Sequence, residues 1–445
     1  METKEAPTFY PSFEEFKNFR EYVSSIRPFC SCGLAKIVPP KEWSESKGME
    51  RVRKRYKTVS KIVVESPIRQ IVNGRRGAFD IINEERPKIS IKEFEKAAEK
   101  QEREAERYLS KCEGEQDVRR VFWKHIAFSP PLYAADSKGT LFEEDVEHWN
   151  LNHLDSLLSL IQEPVPGMNV AYLYFGMWKA MFAMHTEDLD LYSINFLHFG
   201  KDKLWYAVPP AHADRLETLA NSFFPVQHKE CDQFLRHKMY LLSPTVLQQS
   251  NIPFCTATQR AGEFIITFPR SYHFGFNRGF NCAESVNFAL DDWIEFGKKA
   301  KVCRCDEDSV RIDMNSFLTL YKNSLKNEDQ EEEEDMQVQP KHPKSPSPIL
   351  QEDSAEFRVD CLCGAKKTFA SAKQFEEYNS QGHLFQCDGC YAFGHDHCYE
   401  RYAHLKSFPE NMWCHKCSPV KAGPKRKAAA SKKKGEKKTK TRKSL

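Results

Sequence analysis

The chain has 445 residues, 40% hydrophobic and 29% charged, enough for two or three domains with real cores. It holds no run of about eighteen apolar residues, and its first ten residues, METKEAPTFY, are polar with charges of both signs, so the sequence gives no sign of a membrane span or signal peptide. The net charge of +3 hides an asymmetry, because residues 421–445 hold 12 Lys or Arg against one Glu and contribute +11, leaving −8 on the preceding 420. Fifteen cysteines without a secretion signal argue for zinc and reduced thiols rather than disulfides.

The N-terminal segment, 7–48, opens on Ser12-x-x-Glu15, a capping box, followed by Phe13, Phe16, Phe19, Val23 and Ile26 at helical spacing, which predicts one amphipathic helix closed by Pro28. Cys30-x-Cys32 has no partner pair nearby and reads as unligated thiols. A connecting region, 49–138, is basic and poor in long apolar runs as far as Phe79. A second capping box, Ser90-x-x-Glu93, then starts a helix to about Leu109 whose Lys and Glu make a solvated face. From Val121 the chain turns apolar, and Tyr133 stands where SPPLYAADSKGT leads into the next domain.

Residues 139–306 carry the chemistry. A helix is expected over Leu151–Gln162, strands between Tyr172 and Phe288, and a helix from Ala211 to Phe224 after Pro209-Pro210. His185-Thr186-Glu187 reads as part of a strand, where residues two apart share a face and can grip one metal. A third ligand is His273, in GEFIITFPRSYHFGFN, whose first half reads as another strand before Pro269. Two His and one carboxylate on one face of an iron leave the opposite positions open. His-x-acid also occurs at His153/Asp155, His212/Asp214 and His228/Glu230. The copy at His185 differs in being followed by Asn195 inside an apolar run and by Lys203 beside Trp205 and Tyr206, a cation and aromatic walls suited to an oxo-diacid. Cys231-x5-His237 and Cys303-x-Cys305 supply soft donors, and their spacing alone leaves zinc and free thiols both open.

A C-terminal helix is expected within 307–326, around Asp313–Lys326, then a disordered linker, 327–356, with an acidic run at Glu328–Asp335 and PKHPKSPSP after it. Within 358–419, Cys361-x-Cys363, Cys387-x2-Cys390, His395-x2-Cys398 and Cys414-x2-Cys417 provide eight ligands in four pairs, the pattern of two interleaved zinc sites that replace a core. The basic tail, 420–445, with Pro424-Lys425-Arg426-Lys427 and Lys432-Lys433-Lys434, reads as a nuclear localisation signal, a DNA phosphate contact, or both.

HTEDLDLYSINFLHFG, then PP, FLRHKM, AGEFIITFP and GFNCAES, in that order, closely resemble the Jumonji C (JmjC) catalytic domain of the lysine-specific histone demethylase 4 family, over roughly Gly139 to Cys305. GLAKIVPPKEW with the preceding helix resembles a Jumonji N (JmjN) segment, and CDGC with Trp413 before Cys414 looks like a plant homeodomain (PHD) finger, a reader of histone tails. The resemblance implies a mainly β fold with α elements: a double-stranded β-helix (jelly roll, cupin-like) with a helical JmjN segment and a small zinc-stapled PHD finger. It implies iron(II) at His185, Glu187 and His273, 2-oxoglutarate at Tyr133, Asn195 and Lys203 between walls Phe182 and Trp205, and O2 as second co-substrate. Gly167, Tyr174, Ser285, Val286 and Asn287 would meet the methylated lysine, and Cys231, His237, Cys303 and Cys305 would hold Zn(II).

The implied function is oxidative removal of tri- and dimethyl groups from the ninth or thirty-sixth lysine of histone H3, in the nucleus, on the H3 tail or nucleosome. Alternatives are the same chemistry on the fourth lysine, a protein hydroxylase, or a non-catalytic chromatin-reader scaffold. The chain departs from the demethylase 4 pattern at Met184, at Arg270-Ser271 and at Phe274. Arg270 looks more like the demethylase 5 family, whose ARID insertion has no room between Trp43 and Tyr133.

Overall fold

In the computed structural model the sheet that carries His185 is assembled from sequence-distant strands, in spatial order Lys4–Glu5, Cys255–Gln259, Lys203–Val208, Tyr272–Asn277 and Met181–His185. A larger sheet runs Tyr240–Leu242, Ala78–Glu85, Ile68–Arg75, Leu132–Lys138, Tyr172–Gly176, Asn281–Phe288, Tyr192–Gly200, Phe264–Thr267, Leu34–Ile37 and Thr8–Phe9. The described residues are 4–45, 59, 62–305, 311–337 and four short strands beyond. Two compact units divide the chain, Met1–Gln339 and Pro340–Leu445.

Central strands are buried on both faces, so they read as continuous apolar runs rather than alternations. All six residues of Lys203–Val208 and the first seven of Tyr192–Gly200 are buried. The JmjN-like segment is part of this framework: Leu34–Ile37 pairs antiparallel with Phe264–Thr267. Phe16 stacks on Trp149 at 4.4 Å, and the Trp149 indole donates to the Phe16 carbonyl at 2.7 Å.

The expected N-terminal helix is two, Phe13–Lys17 and Phe19–Ile26. Asn18 leaves helical geometry and its side chain accepts from the Glu21 amide, because a residue suited to capping competes with the helix interior. Both capping boxes form, at Ser12/Glu15 and Ser90/Glu93. The helix Ile91–Leu109 buries Ile91, Phe94, Ala98 and Ala105 along one stripe and leaves its charged positions to solvent.

Two expectations about elements fail and one element was not foreseen. Leu151–Gln162 is not a helix beyond the 3₁₀ turn Leu157–Leu160; Ser156 caps that turn and also accepts from the Ala289 amide, so the leucines fill the core from a loop. The basic stretch before Phe79 hides a hairpin, Ile68–Arg75 with Ala78–Glu85, joined by Arg76-Gly77, both at positive φ (56° and 84°). The last helix, expected to end at 326, runs Met314–Gln337 through the acidic run, which contains helix-favouring Glu and Gln and neither Gly nor Pro.

In the second unit Lys366–Phe369 pairs antiparallel with Phe357–Asp360, and Leu384–Gln386 with Phe393–His395. The proposed finger ligands Cys361, Cys363, Cys387, Cys390, Cys398, Cys414 and Cys417, the side chain of His395, and the tail 420–445 lie outside the described residues.

Candidate active site

His185 closes its strand and sits in register with His273 on the neighbouring one. Glu187 is not on that strand: it lies two residues past its end in extended geometry (φ −64°, ψ 155°), at the start of the turn Asp188–Asp190. That turn is held from behind. Asp190, itself buried, accepts from the Thr186 hydroxyl at 3.1 Å and from Arg236 at 3.0 Å, while Arg236 also donates to the Glu187 carbonyl at 3.0 Å.

The Glu187 carboxylate therefore points at both imidazoles, 3.1 Å from His273 Nε2 and 3.9 Å from His185 Nε2, with all three donor atoms within 4.8 Å of one another. Each imidazole spends its Nδ1–H on a backbone carbonyl, His185 on Ala183 at 2.6 Å and His273 on Ser271 at 3.1 Å, so both Nε2 atoms face inward as metal donors. Burial and the adjacent His273 hold His185 well below the usual histidine range. Burial alone would raise Glu187, but the hydrogen bond and charge of His273, with His185 and Lys238, pull it well below the carboxylate range. Two imidazole nitrogens and one carboxylate fit a divalent iron.

The cleft beside these donors has a volume of about 320 Å³ and takes in Tyr133, Asn195, Lys203, Phe182 and Trp205. Lys203 is 2% exposed, and among the described residues no carboxylate pairs with it. Burial pushes its ammonium down to about 7. Its Nζ lies 5.1 Å from the Phe182 ring centre and 5.7 Å from that of Tyr133. Asn195 Oδ1 is buried without a partner. A lone buried cation and an orphaned oxygen beside it fit an anionic ligand with its own polar groups. Phe182 and Trp205 lie 4.6 Å apart, and the Trp205 indole donates to Gln259 at 3.0 Å. Gly275 makes room for this wall, since a Cβ there would meet the Phe182 ring at 2.5 Å and the Leu204 carbonyl at 2.1 Å.

Gly167, Tyr174, Ser285, Val286 and Asn287 line the same cleft. Ser285 stands directly opposite Asn195 across the strand pair and donates its hydroxyl to the Ile194 carbonyl at 2.9 Å, keeping its lone pairs for the cleft. Tyr174 donates to Asp136 at 2.9 Å. Asp136 and Lys238 are cleft residues that the sequence reading did not single out. Lys238 stays charged: burial lowers it, but Asp188, Glu187 and Asp136 more than reverse that. Nothing in the sequence near Asp136 distinguishes it from a surface Asp, whereas FLRHKM already contained Lys238.

Cys231, His237, Cys303 and Cys305 also converge, with ligand atoms within 4.8 Å of one another. The Cys231 and Cys303 sulfurs are 3.7 Å apart and His237 Nε2 is 3.2 Å from Cys303 Sγ. Burial and the adjacent thiols push Cys231 up to about 12, a crowding of thiols that a cation would relieve. Three sulfurs and one imidazole form a closed set suited to tetrahedral zinc. Among the described residues these are the two places where three or more His, Cys, Asp or Glu donors meet; His153, His212 and His228 belong to neither.

Of the departures, Met184 and Phe274 are buried in the core, Phe274 against Tyr206 at 5.0 Å. Arg270 turns to Asp190, Glu217 and Asp214. None of the three lines the cleft.

Residues 172–288 match the JmjC domain, described as a hydroxylase, and residues 7–39 match the jmjN domain. The chain is similar to lysine-specific demethylase 4B of Mus musculus, 45% identical over 322 residues, covering 71% of this chain and 28% of that protein. It is similar to probable lysine-specific demethylase 4F of Homo sapiens, 43% identical over 321 residues (71% and 49%), and to lysine-specific demethylase 4D of Rattus norvegicus, 42% over 320 residues (71% and 61%). The chain thus spans between 28% and 61% of the length of these relatives. No helix among the described residues is long and apolar enough to cross a membrane.

Proposed function

We propose that this chain, which carries jmjN and JmjC domains, is a member of the lysine-specific demethylase 4 family: an iron(II)- and 2-oxoglutarate-dependent dioxygenase that removes methyl groups from histone H3, at the ninth or thirty-sixth lysine. The observation that carries this reading is the joint occurrence, in one cleft, of the His185–Glu187–His273 donor set and the unpaired buried Lys203.

Iron(II) bound with 2-oxoglutarate and oxygen supplies the oxidation of a methyl C–H bond, after which the hydroxymethyl-lysine releases formaldehyde. The chain's own residues do the rest. His185, Glu187 and His273 hold the metal through Nε2, a carboxylate oxygen and Nε2. Lys203 neutralises the distal carboxylate of the co-substrate, with the Tyr133 hydroxyl beside it, and Asn195 offers a further polar contact. Phe182 and Trp205 exclude water. On the peptide side the oxygens of Gly167, Tyr174, Ser285 and Asn287 accept weak C–H···O contacts from polarised methyls. Val286 narrows the pocket without adding a polar contact, favouring tri- and dimethyl over monomethyl substrates.

Zinc at Cys231, His237, Cys303 and Cys305 would clamp the segment after the barrel to its body. His237 lies between Arg236, which holds the Glu187 carbonyl, and Lys238 in the cleft, so this clamp also steadies the metal turn. The finger at 358–419 would bind an unmodified histone tail or serve structurally, since Phe393 and Leu384 stand where trimethyl-lysine readers place cage aromatics. The basic tail suits the nucleus and DNA phosphates. Mass spectrometry of H3 peptides trimethylated singly at the fourth, ninth and thirty-sixth lysines tests the assignment: a loss of 14 Da per methyl at the ninth or thirty-sixth supports it, and turnover confined to the fourth overturns the target.

A further inference from the structure

Cys255 and Cys32 are 223 residues apart in the sequence and meet behind the co-substrate wall. Cys255 lies opposite Ala207, which lies opposite the metal donor His273. Directly paired residues share a face, so the Cys255 side chain points to the barrel side that carries His273 and Trp205. It packs there in one apolar cluster with Ala6, Leu34, Trp205 and Ala257, and Cys32 and Phe182 pack against that cluster. Cys255 Sγ approaches the Cys32 carbonyl at 3.9 Å. Cys32 is partly exposed, whereas Cys255 is 1% exposed.

We propose that Cys32 and Cys255 form a reversible disulfide on exposure to a peroxide, tying the jmjN segment to the barrel behind Trp205. The two thiols are unequal in the way that this chemistry requires. The neighbouring Cys255 thiol, helped by backbone amides, brings Cys32 down to about 7, and the same neighbour holds Cys255 well above the thiol range; the Cys32 sulfur itself lies 3.3 Å from the Leu34 carbonyl. The exposed member is therefore the thiolate and the buried one the resolving thiol. The third nearby cysteine is set apart by burial, which pushes Cys30 up to about 12, and its thiol turns to the Ile26 carbonyl rather than toward Cys255.

The Cys32 thiolate attacks one peroxide oxygen; an S–O bond forms, the O–O bond breaks, and the departing oxygen leaves as water after taking a proton from solvent. Cys255 sulfur then attacks Cys32 sulfur; the S–S bond forms, the S–O bond breaks, and the hydroxide leaves as water with the Cys255 proton. Two thiols are oxidised by two electrons and one hydrogen peroxide is reduced to two waters. The proposal is independent of the demethylase reading.

The test uses the whole 445-residue chain, zinc-loaded and without added iron, so that iron does not consume the oxidant. It is treated with a few equivalents of hydrogen peroxide, alkylated, digested without reductant and mapped by mass spectrometry. The expected product is a linked peptide pair containing Cys32 and Cys255, lighter by two hydrogens and absent after dithiothreitol. In Cys255→Ala, Cys32 should stop at the sulfenic acid and be trapped by dimedone; in Cys30→Ser the link should persist. Recovery of both cysteines as alkylated thiols, a Cys30–Cys32 link, or overoxidised Cys32 beside free Cys255 would overturn the proposal. The wild-type map decides even if Cys255→Ala fails to fold.

Discussion

Arg236 donates to the carbonyl oxygen of Glu187 at 3.0 Å, and with its other guanidinium nitrogen to Asp190 at 3.0 Å, so the residue beside His237, a proposed zinc donor, fixes the backbone of the carboxylate that would hold iron. Outer partners of this kind are worth roughly 10- to 100-fold in metal affinity or activity. Arg236→Ala should weaken iron binding by that order while leaving zinc content unchanged. Equilibrium iron titration checks it; unaltered iron affinity would show that the turn Asp188–Asp190 holds Glu187 without help.

Lys203→Ala should raise the 2-oxoglutarate requirement, because a buried carboxylate left without its charge partner costs about 3 to 5 kcal/mol, a hundredfold or more in apparent affinity. An unchanged co-substrate KM would remove Lys203 from the site.

The same lysine sets a pH dependence. Burial lowers the free-state Lys203 to about 7, and only its charged form can neutralise a carboxylate. The proton is therefore already in place below pH 7 and must be taken up on binding above it. Apparent 2-oxoglutarate affinity should fall by up to tenfold per pH unit above about 7. Calorimetry in buffers of different ionisation enthalpy at pH 8 should register that proton uptake, and its absence would mean that Lys203 is already protonated in the free protein.

The donor set was legible because its members are chemically distinctive and Asn195 and Lys203 follow on the next two strands. Its scaffold was not. Asp190 reaches Arg236 46 residues away, and Arg270 reaches Asp214 56 residues away; nothing in the local pattern around either announces the partner. The proposed zinc donors posed the same problem, since Cys231 and Cys303 are 72 positions apart and only the fold closes that gap. The hairpin 68–85 escaped notice because few of its positions are buried, chiefly Val72 and Ile81 in the core and Gln70 against Met181, so no apolar run forms. The helix break at Asn18 is a local capping choice that hydrophobic periodicity alone overrides on paper.

Methylation state should follow Ser285 and Val286. Trimethyl and dimethyl peptides should turn over and monomethyl poorly; Val286→Thr, which adds a hydroxyl at constant shape, should shift the ratio between the first two by a few-fold. Faster turnover of monomethyl than of trimethyl peptide would contradict the proposed pocket.

Zinc at the four-donor cluster should be separable from the rest of the molecule. Cys231→Ser should lower the zinc content of the full chain by one equivalent and reduce activity, since Arg236 and Lys238 flank His237. Unchanged zinc content would mean that these thiols are free.

The most direct measurement is the mass of a trimethylated H3 peptide incubated with iron(II), 2-oxoglutarate and oxygen, run in parallel with wild-type chain and folded His185→Ala. The account predicts stepwise losses of 14 Da with the wild type and none with His185→Ala, because a single Nε2 donor to the metal is lost. A gain of 16 Da instead, or equal turnover by His185→Ala, would contradict it.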